Sequence, residues 1–380
     1  MSGWDPFGAG YAADPFPALA RLRRSEPVFW SPRLRRFVLT RYADVAAVLQ
    51  DPATYSSAVI PQVPPADRDL LAEFTRWSAR WLFFLDPPEH AARRGPVARA
   101  LAPRALAHLA GPVGELARRL VGDLPRPEFD VLADLAHPLA ARVIAGLLRP
   151  PGAATEEFLA QARVLERADA CARDPQARRA GLEAMAAAAE TTRRYQRCDA
   201  PMMSALRAAW GDDEDLVGAH SLMLVFAGVE TTQNLIVNTV HAVLRHAATG
   251  DPGALVEEGA RFAPPVLGVL RRATRDVLIA GRAVPAGAEL VVMTAAANRD
   301  PARFPDPDRF DPGRRPNPHL SFGLGRHYCP GAELSRLTAR AALTALLEAF
   351  PRLALSGPRP RWRDHDPIVH APAGLTVGAV

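Results

Sequence analysis

One cysteine in the chain has neighbours that suit metal chemistry. Cys329 follows the glycine-containing segment Phe322–Tyr328, and Pro330-Gly331 directly after it predict the start of a helix. The glycines let the backbone turn closely against a flat group, and a thiolate at a helix N-terminus has a lowered pKa. On these residues alone, a buried and inert cysteine remains the alternative. Cys171 and Cys198 lack such surroundings and are predicted to be structural.

An acid inside an apolar helix is the second candidate. Glu230 and Thr231 lie in a helix predicted over Asp213–Ala248, and Leu222–Phe226 just before them are apolar on every side. A buried acid is costly unless it is paired or functional, and threonine hydroxyls can loosen the helical hydrogen bonds. The alternative is a helix kink in which the glutamate reaches a polar partner.

Two further pairs of charged or polar residues share a helical face. Glu258 and Arg261 are three residues apart, and His90 and Arg94 are four apart. A lone Glu/Arg pair at this spacing usually lies on the surface and contributes little. The first turn around His90 reads equally well as an ordinary amphipathic helix start.

The segment Phe322–Gly331 resembles the haem-ligand loop of the cytochrome P450 family. The family pattern Phe-Gly-x-Gly-x-His-x-Cys-x-Gly is matched at every fixed position, including Phe322, Gly323 and Gly331. The resemblance implies a haem b cofactor (iron protoporphyrin IX) whose axial ligand is the Cys329 thiolate, which donates electron density that promotes O–O cleavage. It also implies that His327 bonds a haem propionate.

The resemblance extends to the buried helix. Ala227-Gly228-Val229-Glu230-Thr231 is similar to the family's central-helix pattern of Ala/Gly-Gly-x-Asp/Glu-Thr. It implies that Glu230 and Thr231 are catalytic and deliver protons during dioxygen activation. Ala227 and Gly228 would leave room for O2.

Other motif residues receive supporting roles from the same resemblance. His90, Arg94 and Arg271 match propionate ligands of bacterial members, with Arg272 as an adjacent alternative to Arg271. Glu258 and Arg261 match the family's Glu-x-x-Arg signature, and the third partner of that ion network would be Arg309 of Pro307-Asp308-Arg309-Phe310. Bidentate arginine suits such a locked structural network.

Substrate-pocket walls are also implied by the resemblance. The loop from Ser56 to Phe84 would close the top of the pocket, and its aromatic residues either stack on an aromatic substrate or belong to the core. The short region between about Leu165 and Arg197 would form the lid. The predicted pocket residues are Trp81, Phe84, Met223, Phe226, Val266, Val269 and Ile368.

The implied activity is that of a haem-thiolate monooxygenase using O2 on a small apolar or aromatic organic substrate, in secondary metabolism or catabolism. The alternatives are a haem-thiolate enzyme that uses peroxide or couples radicals, and a haem-binding sensor without turnover. Glu230 and Thr231 argue against both. No flavin or nicotinamide segment is visible, so electrons would come from NAD(P)H through an external ferredoxin reductase and ferredoxin. The arginines of the expected docking face are Arg93, Arg99, Arg104, Arg336 and Arg340.

Composition excludes several other classes of protein. The chain has 380 residues and a net charge of +5, and all 46 of its basic residues are arginine. An apolar share of 48% excludes a disordered chain, and three cysteines exclude a disulfide scaffold. No run of like charges indicates nucleic-acid binding. The first residues have no basic n-region and no apolar h-region, so we expect no signal peptide, and no stretch approaches the ~20 apolar residues of a membrane span. We expect a cytoplasmic protein.

Periodicity and turn residues predict the elements that position these groups. The fold class is mainly α with a small β portion, and the resemblance implies a single triangular, haem-enclosing cytochrome P450 domain over residues 1–380. The segment Asn298–His319 is predicted as a long ordered loop. Strands are predicted at Phe37–Thr40, Asp276–Ala280 and Glu289–Met293, and helices at Pro17–Ser25, Ala43–Leu49, Pro88–Ala100, Pro103–Asp123, Leu132–Leu148, Thr155–Ala170, Gln176–Arg197, Asp213–Ala248 and Gly331–Ala349.

Overall fold

The computed structural model describes residues 4–59, 76–148, 160, 175–195, 197–211, 213–357, 360–363 and 367–379. The α-helices of this part of the chain are α1 (Ala9–Ala13), α2 (Phe16–Ser25), α3 (Tyr42–Gln50), α4 (Glu89–Ala100), α5 (Pro103–Leu106), α6 (Ala110–Gly122), α7 (His137–Leu148), α8 (Pro175–Tyr195), α9 (Pro201–Trp210), α10 (Glu214–Arg245), α11 (Pro252–Phe262), α12 (Thr294–Ala297) and α13 (Ala332–Ala349).

Short strands form three small sheets. The sheet order is β1-β2-β8-β5-β3 in the largest, β4-β10-β9 in the second, and β6-β7 in the third. Among the strands that the structure describes, the β2–β8 pair alone is parallel. The strands are β1 (Val28–Ser31), β2 (Arg36–Leu39), β3 (Tyr55–Ser56), β4 (Glu128–Asp130), β5 (Val269–Ala273), β6 (Val277–Ile279), β7 (Arg282–Val284), β8 (Glu289–Val292), β9 (Leu353–Leu355) and β10 (Thr376–Ala379).

Helix α10 runs through the main hydrophobic core. Asp213 caps its first turn by accepting from the backbone N–H of Leu216 at 2.9 Å, which satisfies a donor that the helix itself leaves free. Most residues from Leu216 to Val225 and from Thr232 to Val243 are buried. The helix packs on α7, α11 and α13, so it links the acid at position 230 to the helix that follows Cys329.

Helix α11 is fixed at its N-terminal end by local chemistry. Asp251 caps it by accepting from the Ala254 N–H at 3.0 Å, and Pro252 occupies its first position, where a missing N–H costs nothing. Its face toward α10 is so close that a Cβ at Gly259 would lie 2.2 Å from the Thr239 hydroxyl oxygen. Glu258 and Arg261 are thereby held at a fixed depth in the core.

The predicted fold class is confirmed, and most predicted helices agree with the structure within a few residues. The prediction for Pro103–Asp123 missed a break, because a 3₁₀ turn at Ala107–Leu109 separates α5 from α6. The prediction for Leu132–Leu148 missed a π-helical first turn at Val131–Ala136. Asn298–His319 contains no helix or strand, as expected. The predicted helix Thr155–Ala170 lies almost entirely outside the described residues.

One apolar stretch passes a length-and-composition test for a membrane span. Val131–Leu148 has a mean hydropathy of 1.5, but 72% of this window is buried within the fold. Burial of this kind is what a core helix of a globular protein shows. Within the described residues, this stretch is the only candidate for a span.

Candidate functional site

The loop before α13 is shaped by two glycines with left-handed backbone conformation. Gly323 has φ of 74° and Gly325 has φ of 71°, a region that other residues rarely adopt. A Cβ at Gly325 would also lie 3.0 Å from the Leu49 carbonyl oxygen of α3. The loop closes where the Cys329 N–H donates to the Phe322 carbonyl at 2.7 Å. This backbone fixes the Cys329 side chain just before the helix.

The thiol of Cys329 needs positive charge to ionise. Burial raises its pKa, and this effect is opposed by the Gly331 N–H, by the charges of Arg94 and Arg336, and by the Ala332 N–H. The helix-end donors expected from the sequence are therefore present. Burial nonetheless prevails, and a bound metal cation is the kind of group that deprotonates such a thiol outright.

Two arginines and two histidines form a partly buried cationic cluster close to this loop. The His90 and His327 rings are 4.0 Å apart, and the Ser57 hydroxyl lies 3.1 Å from Nε2 of His327. Burial, together with the charge of Arg94, lowers the pKa of His90 to about 4. Burial, His90 and Arg271 lower the pKa of His327 to about 3. Both imidazoles are therefore neutral donors at neutral pH.

The charges of this cluster are not fully balanced by acids among the described residues. Within the described residues, neither Arg94 nor Arg271 forms an ion pair with an acid, although burial lowers the pKa of both guanidinium groups. Asp86 is the acid whose charge acts on Arg271, and its carboxylate accepts from Ser56 and Ser57. Uncompensated buried cations are costly. A group with two carboxylates, such as the propionates of haem, fits this cluster.

The choice between the adjacent arginines follows from their surroundings. Arg271 is buried, with 6% of its surface exposed, and its guanidinium donates to the Leu270 carbonyl at 2.7 Å. Arg272 points to the other side of β5, where it pairs with Glu289 at 2.8 Å. The alternation of side chains along a strand explains this split. It favours Arg271 as the propionate ligand.

The acid of α10 is held by an arginine from the C-terminal region. An oxygen of Glu230 lies 2.9 Å from Nη1 of Arg363, and both side chains are largely buried. One residue on, the Thr231 hydroxyl donates to the Ala227 carbonyl at 2.5 Å. The helix is continuous through this point, and the two polar residues are adjacent along α10.

Gly228 has a different neighbour from the one expected. A Cβ at this position would lie 2.5 Å from Cδ1 of Ile144 on α7. The glycine thus permits close packing of α10 on α7, and the space beside it is filled by a side chain. This contact does not test the expectation that Gly228 leaves room for O2, which stays a prediction. Ala227 is half-buried.

Predicted pocket residues fall into two groups. Trp81 stacks on Phe84 with ring centroids 6.5 Å apart and lies 5.2 Å from the Phe226 ring. Met223 joins this group, because the Leu82 N–H points to its sulfur at 3.4 Å. The second group comprises Val266, which bridges to Val369, together with Val269 on β5 and Ile368.

The aromatic group is brought together in part by mutual packing. Trp81 is only 1% exposed, so its indole belongs to the core, which is the alternative that the sequence left open. Phe84 and Phe226 are only partly buried. Most of the loop from Ser56 to Phe84 lies outside the described residues, and so does the first part of the expected lid, whereas residues 175–195 of that lid form α8.

The buried ion network differs from the predicted one in its third arginine. Arg261 pairs with Glu258 at 2.6 Å, and the two side chains are 0% and 1% exposed. Arg309 was expected to complete the network through its side chain, but that side chain is exposed, and only its carbonyl accepts from Arg261, at 2.9 Å. The third guanidinium belongs to Arg314, 3.4 Å from Glu258. The long loop turns inward at Arg314, which the motif alone did not reveal.

The arginines proposed for docking are not equivalent. Arg99, Arg104 and Arg340 are exposed. Arg93 pairs with Glu89 on its own helix. The Arg336 guanidinium is partly exposed and pairs with Glu257 and Glu333, and its role in docking stays a prediction.

Sequence reasoning missed several residues of this region. Arg363 gave no local signal, because it lies 133 residues from Glu230. Glu257 directly precedes the recognised Glu258, but no pattern linked it to His319 or Arg336. Of the cysteines predicted to be structural, Cys198 donates to the Leu148 carbonyl at 2.8 Å, and Cys171 lies outside the described residues.

Comparison with known proteins gives one family. The family model for cytochrome P450 matches residues 253–375. The chain is 33% identical over 371 residues to the vitamin D(3) 25-hydroxylase of Pseudonocardia autotrophica, covering 93% of this chain and 90% of that protein. It is 33% identical over 381 residues to the erythromycin C-12 hydroxylase of Saccharopolyspora erythraea, covering 94% and 93%. Cytochrome P450 CREJ, solved with (4-ethylphenyl) dihydrogen phosphate, has a TM-score of 0.90 at 25% identity and 100% coverage of both chains.

Proposed function

The chain belongs to the cytochrome P450 family and is a monooxygenase of that family, and from this premise we propose that Cys329 supplies the axial thiolate of a haem b. The observation that carries the proposal is the position of this thiol, which lies in a glycine-shaped loop at the start of α13 and is influenced electrostatically by Arg94. Haem, when bound there, supplies the dioxygen activation and the transfer of one oxygen atom to the substrate.

The cationic cluster would hold the two propionates. Arg94 and Arg271 provide the charge, and the neutral His90 and His327 provide ring N–H donors. Charge-assisted hydrogen bonds are about twice as strong as neutral ones, so the arginines contribute most of this binding. The backbone of the loop that holds Cys329 is shaped by Phe322, Gly323 and Gly331.

Proton delivery is assigned to α10. The Thr231 hydroxyl, anchored on the Ala227 carbonyl, stands one residue from the Glu230 carboxylate. We propose that Glu230 takes protons from solvent when it leaves Arg363 and passes them along to Thr231. The Glu230 side chain has 23% of its surface exposed, so it can exchange protons with solvent on one side and with Thr231 on the other. General acid catalysis of this kind typically contributes 10²- to 10⁴-fold.

The substrate is proposed to be a small apolar or aromatic organic molecule. The polarisable Met223 and the rings of Phe84 and Phe226 present apolar surface that favours flat or ring-containing molecules. Val266, Val269 and Ile368 would form the opposite wall. The named relatives hydroxylate vitamin D(3) and erythromycin, which supports a role in secondary metabolism.

Thiolate ligation is tested by spectroscopy. We expect the purified, haem-loaded and reduced protein under carbon monoxide to show the red-shifted Soret band of a thiolate-ligated haem. Cys329→Ser should abolish that band, while Cys198→Ser should retain it. A wild-type protein without the band, or a Cys329→Ser variant with an unchanged spectrum, would overturn the proposal.

Substrate class and reaction are tested together. A panel of apolar and aromatic molecules is titrated into the ferric protein, and a high-spin Soret shift identifies a ligand that displaces water. Hydroxylated product with O2 and electrons supports the monooxygenase proposal. Product with peroxide alone would favour the peroxide-using alternative, and binding without any product would favour the sensor.

Electrons are proposed to come from NAD(P)H through an external ferredoxin reductase and ferredoxin, in the cytoplasm. The exposed Arg99, Arg104 and Arg340 offer a basic surface for an acidic partner. Arg340→Glu should weaken ferredoxin-dependent turnover and reduce its salt dependence. Arg24→Glu, on the exposed face of α2, is the control. Equal effects of the two substitutions would contradict this docking surface.

A further inference from the structure

Arg336 on α13 joins the helix to both ends of the cysteine loop. Its guanidinium stacks on the Phe322 ring with Cζ 4.4 Å from the centroid, and its Nη1 lies 3.0 Å from the hydroxyl oxygen of Tyr328. Phe322 begins the loop, and Tyr328 directly precedes Cys329. A planar guanidinium can stack and donate at the same time, which an ammonium cannot do.

The charge of Arg336 is countered by Glu333 on its own helix and, more closely, by Glu257 on a different helix. Glu257 of α11 accepts from Nε of Arg336 at 2.5 Å and from Nη2 at 3.3 Å. His319, which is buried, contacts the same carboxylate at 3.0 Å. Burial alone would raise the pKa of Glu257, but the hydrogen bonds from His319 and Arg336 lower it to about 2. Glu257 is therefore ionised throughout the neutral range.

This arrangement acts on the cysteine sulfur. Arg336 is one of two arginines whose charge favours the thiolate of Cys329. The Glu257 carboxylate is bonded to the same guanidinium, so it offsets part of that positive field. Groups beyond the direct ligand tune a metal centre by hydrogen bonding and charge.

We propose that the Arg336–Glu257 pair positions the Cys329 loop and sets the electrostatic field at the sulfur, and thereby tunes the reduction potential of the haem iron. The proposal rests on the thiolate ligation proposed above. Arg336 and Glu257 are positioning residues, because they act through the thiolate and touch neither substrate nor the reacting atoms.

The two members of the pair must then act in opposite directions. Reduction adds one electron to the site, so nearby positive charge favours the reduced form and nearby negative charge disfavours it. Removing the charge of Arg336 leaves Glu257 uncompensated and should lower the potential. Removing the charge of Glu257 exposes the field of Arg336 and should raise it.

The test is a spectroelectrochemical titration of the substrate-free holoprotein. We expect Arg336→Gln to shift the potential downward and Glu257→Gln to shift it upward. The double variant should lie between the two single variants. Arg340→Gln, an exposed arginine one turn along the same helix, should leave the potential unchanged. Ferric Soret positions are recorded for each variant, so that only proteins of equal spin state are compared.

A purely structural role predicts a different pattern. Both single variants would then shift the potential in the same direction, or only the melting temperature would change, and either result overturns the proposal. If Arg336→Gln does not fold, Glu257→Gln and Arg336→Lys decide the matter, since lysine keeps the charge and should hold the potential near the wild-type value. A wild-type protein lacking the red-shifted carbon monoxide band would contradict the proposed ligation itself; the variants bear only on the tuning.

Discussion

Arginine carries out several different tasks in this chain, which contains no lysine. Arg261 is fully buried in an ion network, and Arg299 lies between the Phe16 and Phe262 rings with Cζ 3.8 and 3.6 Å from their centroids. A delocalised and weakly hydrated guanidinium tolerates such places, whereas an ammonium is strongly hydrated. The composition is therefore informative at the residue scale, although the net charge says little.

The first prediction concerns the polar pair on α10. Glu230→Gln should lower product formation by about 100-fold, because a general acid is lost while the shape of the side chain is kept. Thr231→Ala should divert electrons from product to hydrogen peroxide. Product and peroxide are measured per NAD(P)H consumed, once a substrate is in hand.

Thr232 provides the matched control for this prediction. Its hydroxyl lies 2.9 Å from the Ser335 hydroxyl of α13 and is not part of the proposed proton path through Glu230 and Thr231. Thr232→Val should leave the ratio of product to peroxide unchanged. Equal peroxide release from Thr231→Ala and Thr232→Val would contradict the role of Thr231.

The second prediction concerns acid stability and His370. This residue is buried and stacks on Trp362 with ring centroids 3.9 Å apart. Burial, together with His241 and Arg299, lowers its pKa to about 3. The unfolded chain binds a proton at pH below ~6.5 and the folded chain does not, so stability falls as the pH drops through this window.

The size of this effect follows from the linkage relation. At about 1.4 kcal/mol per pH unit, His370 should lower the free energy of unfolding by about 2 kcal/mol as the pH falls from 6.5 to 5. The melting temperature of His370→Phe should therefore fall less than that of the wild type between pH 6.5 and pH 5. The exposed His108, changed to Phe, is the control and should behave as wild type does. A His370→Phe protein with the wild-type pH dependence would refute the prediction.

At the element scale, the approach of α7 to α10 depends on Gly228. The third prediction is that Gly228→Ala destabilises the protein by about 1–3 kcal/mol, because its Cβ would meet Cδ1 of Ile144. Ile144→Val removes that carbon and should recover part of the loss in the double variant. Chemical denaturation of all three variants measures this coupling.

Gly146 on the exposed side of α7 separates steric from backbone effects. A Cβ there meets nothing within 4 Å, so Gly146→Ala should be neutral or stabilise by up to about 1 kcal/mol through helix propensity. A Gly228→Ala protein as stable as Gly146→Ala would show that α7 and α10 can separate at no cost.

The elements themselves were largely predictable, since helix periodicity and proline boundaries are local properties. What local reasoning missed depends on partners far away in sequence. The strands β9 and β10 are short and gain their identity only by pairing with each other and with β4. The break before α6 and the π-helical turn before α7 were also missed, although Asp130 caps the π-helical turn locally by accepting from the Leu132 and Ala133 N–H groups.

The candidate site shows the same division. The fixed positions of the cysteine loop were available from the sequence, because its glycine conformations are demanded by the backbone itself. Arg363 and Arg314 were not, because each meets its acid only after the chain has folded. Long-range ion pairs are therefore the part of such a site that needs a structure.

At the scale of the whole molecule, an arginine from α4 and one from β5 gather beside the neutral histidines of α4 and the cysteine loop. Within the described residues, Arg94 and Arg271 meet no acid in an ion pair, and their burial costs free energy until a dianion arrives. Elements far apart in the chain thus bring two guanidinium groups together at a cost in desolvation. Folding and cofactor binding should be coupled through these charges.

The last prediction is that Arg271→Met affects the apoprotein and the holoprotein in opposite directions. Without haem, loss of an uncompensated buried charge should stabilise the fold by on the order of 1 kcal/mol. With haem, loss of a charge-assisted hydrogen bond should speed haem release by about 10-fold or more. Melting of the apoprotein and haem transfer to apomyoglobin measure the two effects. Arg272→Met, whose guanidinium pairs with Glu289 on the other side of β5, should change neither. An Arg271→Met protein that weakens both states equally would mean that Arg271 serves the fold alone, and that the dianion is held elsewhere.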